Sequence, residues 1–343
     1  MTALADLLLA RIAATGPMRL SDYMAVCLLH PMHGYYATRD PFGQAGDFTT
    51  APEISQMFGE LLGLCLAQSW LDQGAPAPFT LAELGPGRGT LMADVLRATK
   101  GVPGFHAGAT VVLVEASAHL RGVQQATLGE VQWVDTVQDL PDQPLFLLAN
   151  EFFDALPIRQ FTCADAGWAE TVVGIADGRL ALGRNPPMPM DHPGQPGDVI
   201  ERCPMAAPIM AHIGALIAAH GGAAIIVDYG GWGTAGDTFQ AMQAHAFVDP
   251  LAAPGMADLT AHVDFAALAV ASPTAHAYTT QGALLASLGI QARGERLATR
   301  LTGAALDAHV QATHRLTHPD EMGQLFKVLA LYPHGATPPP GMT

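Results

Sequence analysis

Apolar residues fall at helical spacing between positions 53 and 71, where Ile54, Met57, Phe58, Leu61, Leu62 and Cys65 share one face. The pattern predicts a helix over 53–71, stopped by Gly74 and Pro76. Thr50 and Glu53 stand three apart at its start, the spacing of a capping box in which a hydroxyl and a carboxylate satisfy the first free amides. From Phe79 the pattern changes to short apolar runs alternating with helical stretches. Strands are predicted at 79–84, 111–115, 145–149 and 223–227, and Leu91, Met92, Val95 and Leu96 form the stripe of an intervening helix. Such alternation is the signature of an α/β fold with a mostly parallel sheet.

The rest of the chain decorates this core. Residues 1–78 read as a helical N-terminal part and 79–343 as the core, with insertions at about 158–221 and 231–274. The first insertion is expected to be a small β element over 158–180, turning at Asp177-Gly178, followed by a Pro- and Gly-rich loop over 185–198. The second, 230–273, has little regular pattern. Helices are expected at 281–289 and 295–313, a closing strand at 325–331, and a frayed tail over 337–343.

Composition narrows the function classes. With 343 residues and 50% hydrophobic content the chain can bury a large core. No apolar run reaches the roughly 18–20 residues needed to span a bilayer, so no membrane insertion is expected. The first helical stretch, 4–14, carries Arg11 as its only basic residue beside Asp6, unlike a mitochondrial presequence or secretory leader. Cys27, Cys65, Cys163 and Cys203 are widely spaced, which argues against a zinc knuckle and for reduced thiols in a cytoplasm. A net charge of −15 opposes a phosphate backbone, so the acceptor of any chemistry is expected to be a basic peptide or a small molecule rather than a nucleic acid. Oligomeric state is not legible.

The strongest local signal is Glu83-Leu84-Gly85-Pro86-Gly87-Arg88-Gly89-Thr90, a strand running into a glycine turn and then a helix. Gly85, Gly87 and Gly89 allow close approach of a cofactor, and the helix start offers free amides. Their G-x-G-x-G spacing differs from the G-x-G-x-x-G of dinucleotide enzymes, which disfavours an NAD-dependent oxidoreductase and favours a cofactor without pyrophosphate. S-adenosylmethionine fits, with Glu83 placed toward its ammonium. Glu115 ends the next strand, 26 positions beyond Gly89, where a carboxylate can accept both ribose hydroxyls. Asp135, after the run Val131-Gln132-Trp133-Val134, is a candidate for the adenine side or a solvated surface residue.

Asn150-Glu151-Phe152-Phe153-Asp154 follows the 145–149 strand at the carboxyl edge, where open α/β sheets bind ligands. Methyl transfer needs mainly alignment and exclusion of water. Two carboxylates suit a guanidinium, which they can hold by paired charge-assisted hydrogen bonds. Glu151 and Asp154 are the candidates for that clamp, with Asn150 beside them; Asn150 and Asp154 can equally cap the following turn. Asp228-Tyr229-Gly230 either lines a cleft or ends its strand, and His262 is either a base or a packed residue. No His/Cys pattern of zinc spacing is present, so no metal is expected.

Longer motifs sharpen this. Gly46-Asp47-Phe48-Thr49-Thr50-Ala51-Pro52-Glu53-Ile54-Ser55-Gln56, the Glu83–Met92 run and Asn150-Glu151-Phe152-Phe153-Asp154-Ala155-Leu156-Pro157 together resemble the MidA family. Ile200-Glu201-Arg202-Cys203-Pro204, the 254–265 segment and Met322-Gly323 through Lys327 extend the resemblance over about 17–330. That family comprises the mitochondrial complex I assembly-factor arginine methyltransferases and their bacterial relatives. The resemblance implies a class I S-adenosylmethionine-dependent methyltransferase fold, Rossmann-like, with a helical N-terminal part and inserted elements. It also implies methylation of an arginine on the 49-kDa-type subunit of respiratory complex I, in support of its assembly. Gly85, Gly87, Gly89 and Glu115 carry over as donor contacts, and Asn150, Glu151 and Asp154 as acceptor neighbours. A bacterial cytoplasmic member is expected, and a non-catalytic assembly chaperone that binds the donor is the rival reading.

Overall fold

A computed structural model of the chain describes residues 2–38, 50–233 and 236–342. The Gly46-Asp47-Phe48-Thr49 end of the first long motif lies outside the described residues. The chain divides into two compact units, one of Met1–Phe48, Phe153–Ala206 and Gly231–Asp264, the other of Thr49–Phe152, Ala207–Gly230 and Phe265–Thr343.

The second unit holds the sheet that the apolar runs predict. Its strands are β1 (Phe79–Leu84), β2 (Ala109–Val114), β3 (Gln132–Val134), β4 (Leu145–Asn150), β5 (Gly222–Gly231), β6 (Ala275–Thr280) and β7 (Phe326–Tyr332). They lie side by side in the order β6-β7-β5-β4-β1-β2-β3. The five from β5 to β3 run parallel, and β7 is antiparallel to both β5 and β6. Continuous apolar runs such as Leu145-Phe146-Leu147-Leu148 arise because a parallel strand is covered on both faces, and all four side chains are essentially inaccessible. Each such burial stabilises the fold by roughly 1.5–3 kcal/mol.

The expected helix over 53–71 is two helices, α1 (Ala51–Ile54) and α2 (Gln56–Asp72). Ser55 separates them because it is extended (φ −157°, ψ 132°), and its hydroxyl accepts the Met57 amide to cap α2. The expected capping box does not form, since the Thr50 side chain makes no cap hydrogen bond. α2 packs closely on α3 (Thr90–Thr99). A Cβ on Gly59 would come within 2.6 Å of the Asp94 Cβ, and one on Gly63 within 2.9 Å of the Val95 Cα. Glu60, between those glycines, is buried and pairs with Arg97 and with Arg293, the latter at 2.8 Å. The two guanidiniums hold its carboxyl below the usual carboxylate range against the upward pull of burial.

Several expectations are corrected. The N-terminal part does not extend to 78 as one body, because 1–48 cluster with the insertions while α2 belongs to the core unit. The first insertion ends at Ala206 rather than 221, since α5 (Ala206–His220) supplies an apolar face, with Met210, Ile213 and Ile217 buried. The second ends at Asp264 rather than 274. The stretch 295–313 is two helices, Ile290–Ala298 and Ala304–Thr317. The tail packs rather than frays: Met342 is 3% exposed, and the Cys65 thiol donates to the Pro340 carbonyl at 3.3 Å.

The first unit is built from helices Ala3–Thr15 and Leu20–Leu29 and two small antiparallel sheets. In one, strands Met18–Arg19, Gly167–Ala176, Arg159–Ala164 and Val199–Arg202 lie in that order, with Arg179–Arg184 also paired to Gly167–Ala176. The Asp177-Gly178 turn has both residues at positive φ, the conformation of a two-residue hairpin turn. The other sheet orders Ala246–Val248, Gln240–Gln243 and Asp258–Thr260. Leu4, Leu8, Tyr23, Met24, Val173 and Leu259 share its core. Among the described residues no helix is long and apolar enough to cross a membrane.

Candidate active site

The glycine turn follows β1 as expected. Gly85, Gly87 and Gly89 have φ of 58°, 52° and 80°, in the left-handed region that favours glycine. A Cβ at Gly85 would also stand 2.9 Å from the Phe152 ring. The turn delivers the chain into α3 with the first helical amides at the carboxyl edge of the sheet.

Glu83, on the last turn-proximal part of β1, is 3% exposed. Burial pushes its carboxyl up to about 8, although the Met92 amide donates to it. Its Oε2 has no hydrogen-bond partner among the described residues, and neither does the buried Oδ1 of Asn150 on the adjacent strand β4. Two buried, unsatisfied acceptors beside a glycine turn fit a ligand that brings N–H or O–H donors and a positive charge. The ammonium and hydroxyls of S-adenosylmethionine meet that description.

Glu115 follows β2 directly. Its Oε1 accepts the Ser117 amide at 2.8 Å and its Oε2 an amide hydrogen of Gln124 at 3.2 Å. Burial raises the carboxyl, and these donors together with Arg121 oppose the rise. Gln124 also donates to the Gly87 carbonyl at 2.8 Å, so one side chain spans the turn and the acid. The Asp135 carboxylate is 76% exposed and pairs with Arg121 at 2.6 Å.

Glu151 directly follows β4 in a left-handed conformation, φ 50°, costly for a residue with a Cβ. Its Oε1 accepts the Asn150 side-chain amide at 3.0 Å and the Ala51 amide at 3.3 Å. Glu53, freed of the capping box, accepts the Thr90 hydroxyl at 2.6 Å. Glu83, the three glycines, Glu115, Asn150 and Glu151 thus all belong to the second unit, while Asp154 belongs to the first. There Asp154 is 6% exposed, and its carbonyl accepts the Ala261 amide at 3.0 Å. Asp228 is fully buried and accepts the Tyr229 amide, and Tyr229 packs edge-on against Phe326 at 5.6 Å. The His262 amide donates to the Thr238 hydroxyl at 2.9 Å.

Sequence reasoning missed Gln124, Thr90 and, in the first unit, the Tyr36–Asp258 pair, in which the phenol donates to both carboxylate oxygens at 3.0 Å. The last had a signal: Asp258, Thr260, His262 and Asp264 alternate with Leu259, Ala261 and Val263, a polar face on a segment whose other face is buried. No group of three or more His, Cys, Asp and Glu that could hold a metal occurs among the described residues.

A parallel sheet carrying a glycine turn, a buried acid before it and a second acid after the next strand defines the class: a Rossmann-like, class I S-adenosylmethionine-dependent methyltransferase. Residues 61–284 match the protein family described as "Putative S-adenosyl-L-methionine-dependent methyltransferase". The chain is 36% identical to the bovine "Protein arginine methyltransferase NDUFAF7, mitochondrial", over 95% of this chain and 82% of that protein. The human protein of the same name is 35% identical over the same shares. A crystal structure from Burkholderia thailandensis, bound to S-adenosyl-homocysteine, superposes with a TM-score of 0.83 at 28% identity, covering 99% of this chain and 94% of that one. The chain belongs to the MidA family of S-adenosylmethionine-dependent methyltransferases.

Proposed function

We propose that the chain methylates an arginine side chain of a protein, and that its acceptor is the 49-kDa-type subunit of respiratory complex I. The observation that carries this reading is Glu151: a carboxylate at the carboxyl edge of the sheet, held by two N–H donors, on a backbone whose left-handed φ the surrounding structure must enforce. The names of the curated relatives and the net charge of −15, which suits a basic peptide, support it.

The donor supplies an electrophilic methyl on a sulfonium. In this reading the left-handed glycine turn brings backbone close to it, Glu83 meets its ammonium and Glu115 its ribose hydroxyls. Glu151, with Asn150 before it, orients the guanidinium so that one nitrogen faces the methyl carbon. As the new N–C bond forms and the methyl–sulfur bond breaks, leaving the thioether S-adenosylhomocysteine, the carboxylate of Glu151 accepts the proton that the nitrogen loses. The four cysteines are unpaired, which suits a reducing compartment such as a bacterial cytoplasm.

Incubation with methyl-labelled S-adenosylmethionine and the candidate subunit, followed by mass mapping, tests this. Label on one arginine, lost in Glu151→Gln while donor affinity is kept, is the expected result. Label on another residue type, or wild-type turnover in Glu151→Gln, rejects it.

A further inference from the structure

Three polar groups converge on one fully buried amide. Gln124 lies in α4 (Ala118–Leu128) and has no solvent exposure. Its Nε2 donates to the Gly87 carbonyl at 2.8 Å and to Oε2 of Glu115 at 3.2 Å, and its Oε1 accepts the Trp133 indole N–H at 2.8 Å. The indole can only donate, so it fixes which end of the amide is oxygen. With that end fixed, both N–H bonds point at the turn and the acid. Inverting the amide would set an NH2 against the indole N–H and a carbonyl against a carboxylate and a carbonyl.

The surroundings leave little freedom. Gly89 packs on the same helix: a Cβ there would meet Leu128 Cδ1 at 3.0 Å and Gln124 Cγ at 3.7 Å. Arg121, one turn earlier on α4, donates through Nε to the Glu115 carbonyl at 2.7 Å, and Ser117, the N-cap of α4, donates its amide to Oε1 of Glu115. One face of one helix therefore holds the backbone of Glu115, both of its carboxylate oxygens and the middle carbonyl of the glycine turn.

We propose that Gln124 is a positioning residue for the methyl donor, locked by Trp133, which sets the ribose-side carboxylate of Glu115 and the peptide orientation at Gly87 in one register. It touches neither the donor nor the acceptor; it acts through Glu115 and Gly87. The proposal rests on the reading that the 85–89 turn and Glu115 hold the donor, and not on the identity of the acceptor.

The test is calorimetry of the full chain with two probes, S-adenosylhomocysteine and adenosine, alongside thermal melts. Gln124→Leu removes all three hydrogen bonds. Gln124→Glu keeps the volume and sets a carboxyl against Glu115. Trp133→Phe removes only the lock. Loss of a hydrogen bond to a charged group corresponds to about a tenfold or greater loss of affinity, so Gln124→Leu and Gln124→Glu are expected to weaken both probes by about that factor. Trp133→Phe, which loosens the amide without deleting it, is expected to weaken both by about threefold.

Because Gln124 acts on the ribose side, adenosine feels its loss, whereas Glu83→Gln weakens S-adenosylhomocysteine and spares adenosine. Melting points that fall while both affinities stay within about twofold of wild type would make Gln124 a structural bridge only and overturn the proposal. If Gln124→Leu does not fold, Gln124→Glu and Trp133→Phe decide it on the same criterion. Gly87→Val is the reference: unchanged S-adenosylhomocysteine affinity in that variant would place the fault in the donor seat itself.

Discussion

The hydroxyl of Thr90, the first residue of α3 after the glycine turn, donates to Glu53 on α1 at 2.6 Å. Two residues before Glu53, the amide of Ala51 donates to Glu151 at 3.3 Å. One short helix is thus tied at once to the start of the donor-side helix and to the carboxylate proposed to receive the acceptor. If this brace sets the distance between the two, Glu53→Ala and Thr90→Val should each lower turnover by about tenfold, the worth of one charge-assisted hydrogen bond, and the double variant should be little worse than either. Additive losses in turnover would show that the contact carries no coupling.

Glu83 makes the stability of the chain depend on pH in a direction opposite to that of a salt-bridged acid. Its carboxyl is raised by burial from 4.5 to about 8. Between those values the unfolded chain has lost the proton that the folded chain keeps, so stability should fall as pH rises through the window and level off above it. The slope from this one group is at most about 1.4 kcal/mol per pH unit. Urea unfolding from pH 5 to 9 should show the decline in the wild type and a flatter profile in Glu83→Gln. Parallel profiles would mean that Glu83 is ionised in the folded protein.

Much of the proposed donor side was legible because its signals are local. A glycine turn between a strand and a helix, an acid just before it and an acid ending the next strand are all readable from residue type and spacing, and the structure puts Glu83, Gly85 and Glu115 at those places. What was illegible is non-local. Met18 pairs with Val173, Thr2 donates to the Pro254 carbonyl, and Tyr36 bonds Asp258, so the N-terminal helices and both insertions form one unit through contacts that leave no periodicity in the sequence. Glu53 shows the same limit. Its spacing from Thr50 suits a cap, but a hydroxyl 37 residues away takes its carboxylate. Gln124 is a polar residue inside a helix, and only the fold shows that its three partners meet.

Gly85 tests how tightly the turn is packed. Alanine there must adopt φ near 58° and place its Cβ 2.9 Å from the Phe152 ring. Left-handed strain and overpacking each cost about 1–3 kcal/mol, so Gly85→Ala should unfold at clearly lower denaturant concentration than the wild type. In a Gly85→Ala, Phe152→Leu double variant the packing part should be recovered and the backbone part should remain. Full recovery would assign the whole cost to Phe152, and no recovery would assign it to φ alone.

Glu151 separates stability from chemistry most cleanly. Its backbone sits at φ 50°, and glycine at such a position relieves on the order of 1 kcal/mol of strain. The same change deletes the acceptor for the Ala51 and Asn150 N–H groups, a loss of about 1 kcal/mol for each bond. The opposing terms are of similar size, so Glu151→Gly should unfold within about 1–2 kcal/mol of the wild type while methyl transfer falls by about two orders of magnitude or more. Glu151→Gln, which keeps the length and an acceptor oxygen but not the charge, should hold stability and still lose transfer. A glycine variant that folds, binds S-adenosylhomocysteine as the wild type does and methylates its acceptor at the normal rate would leave the strained conformation without a catalytic reason and remove Glu151 from the proposed mechanism.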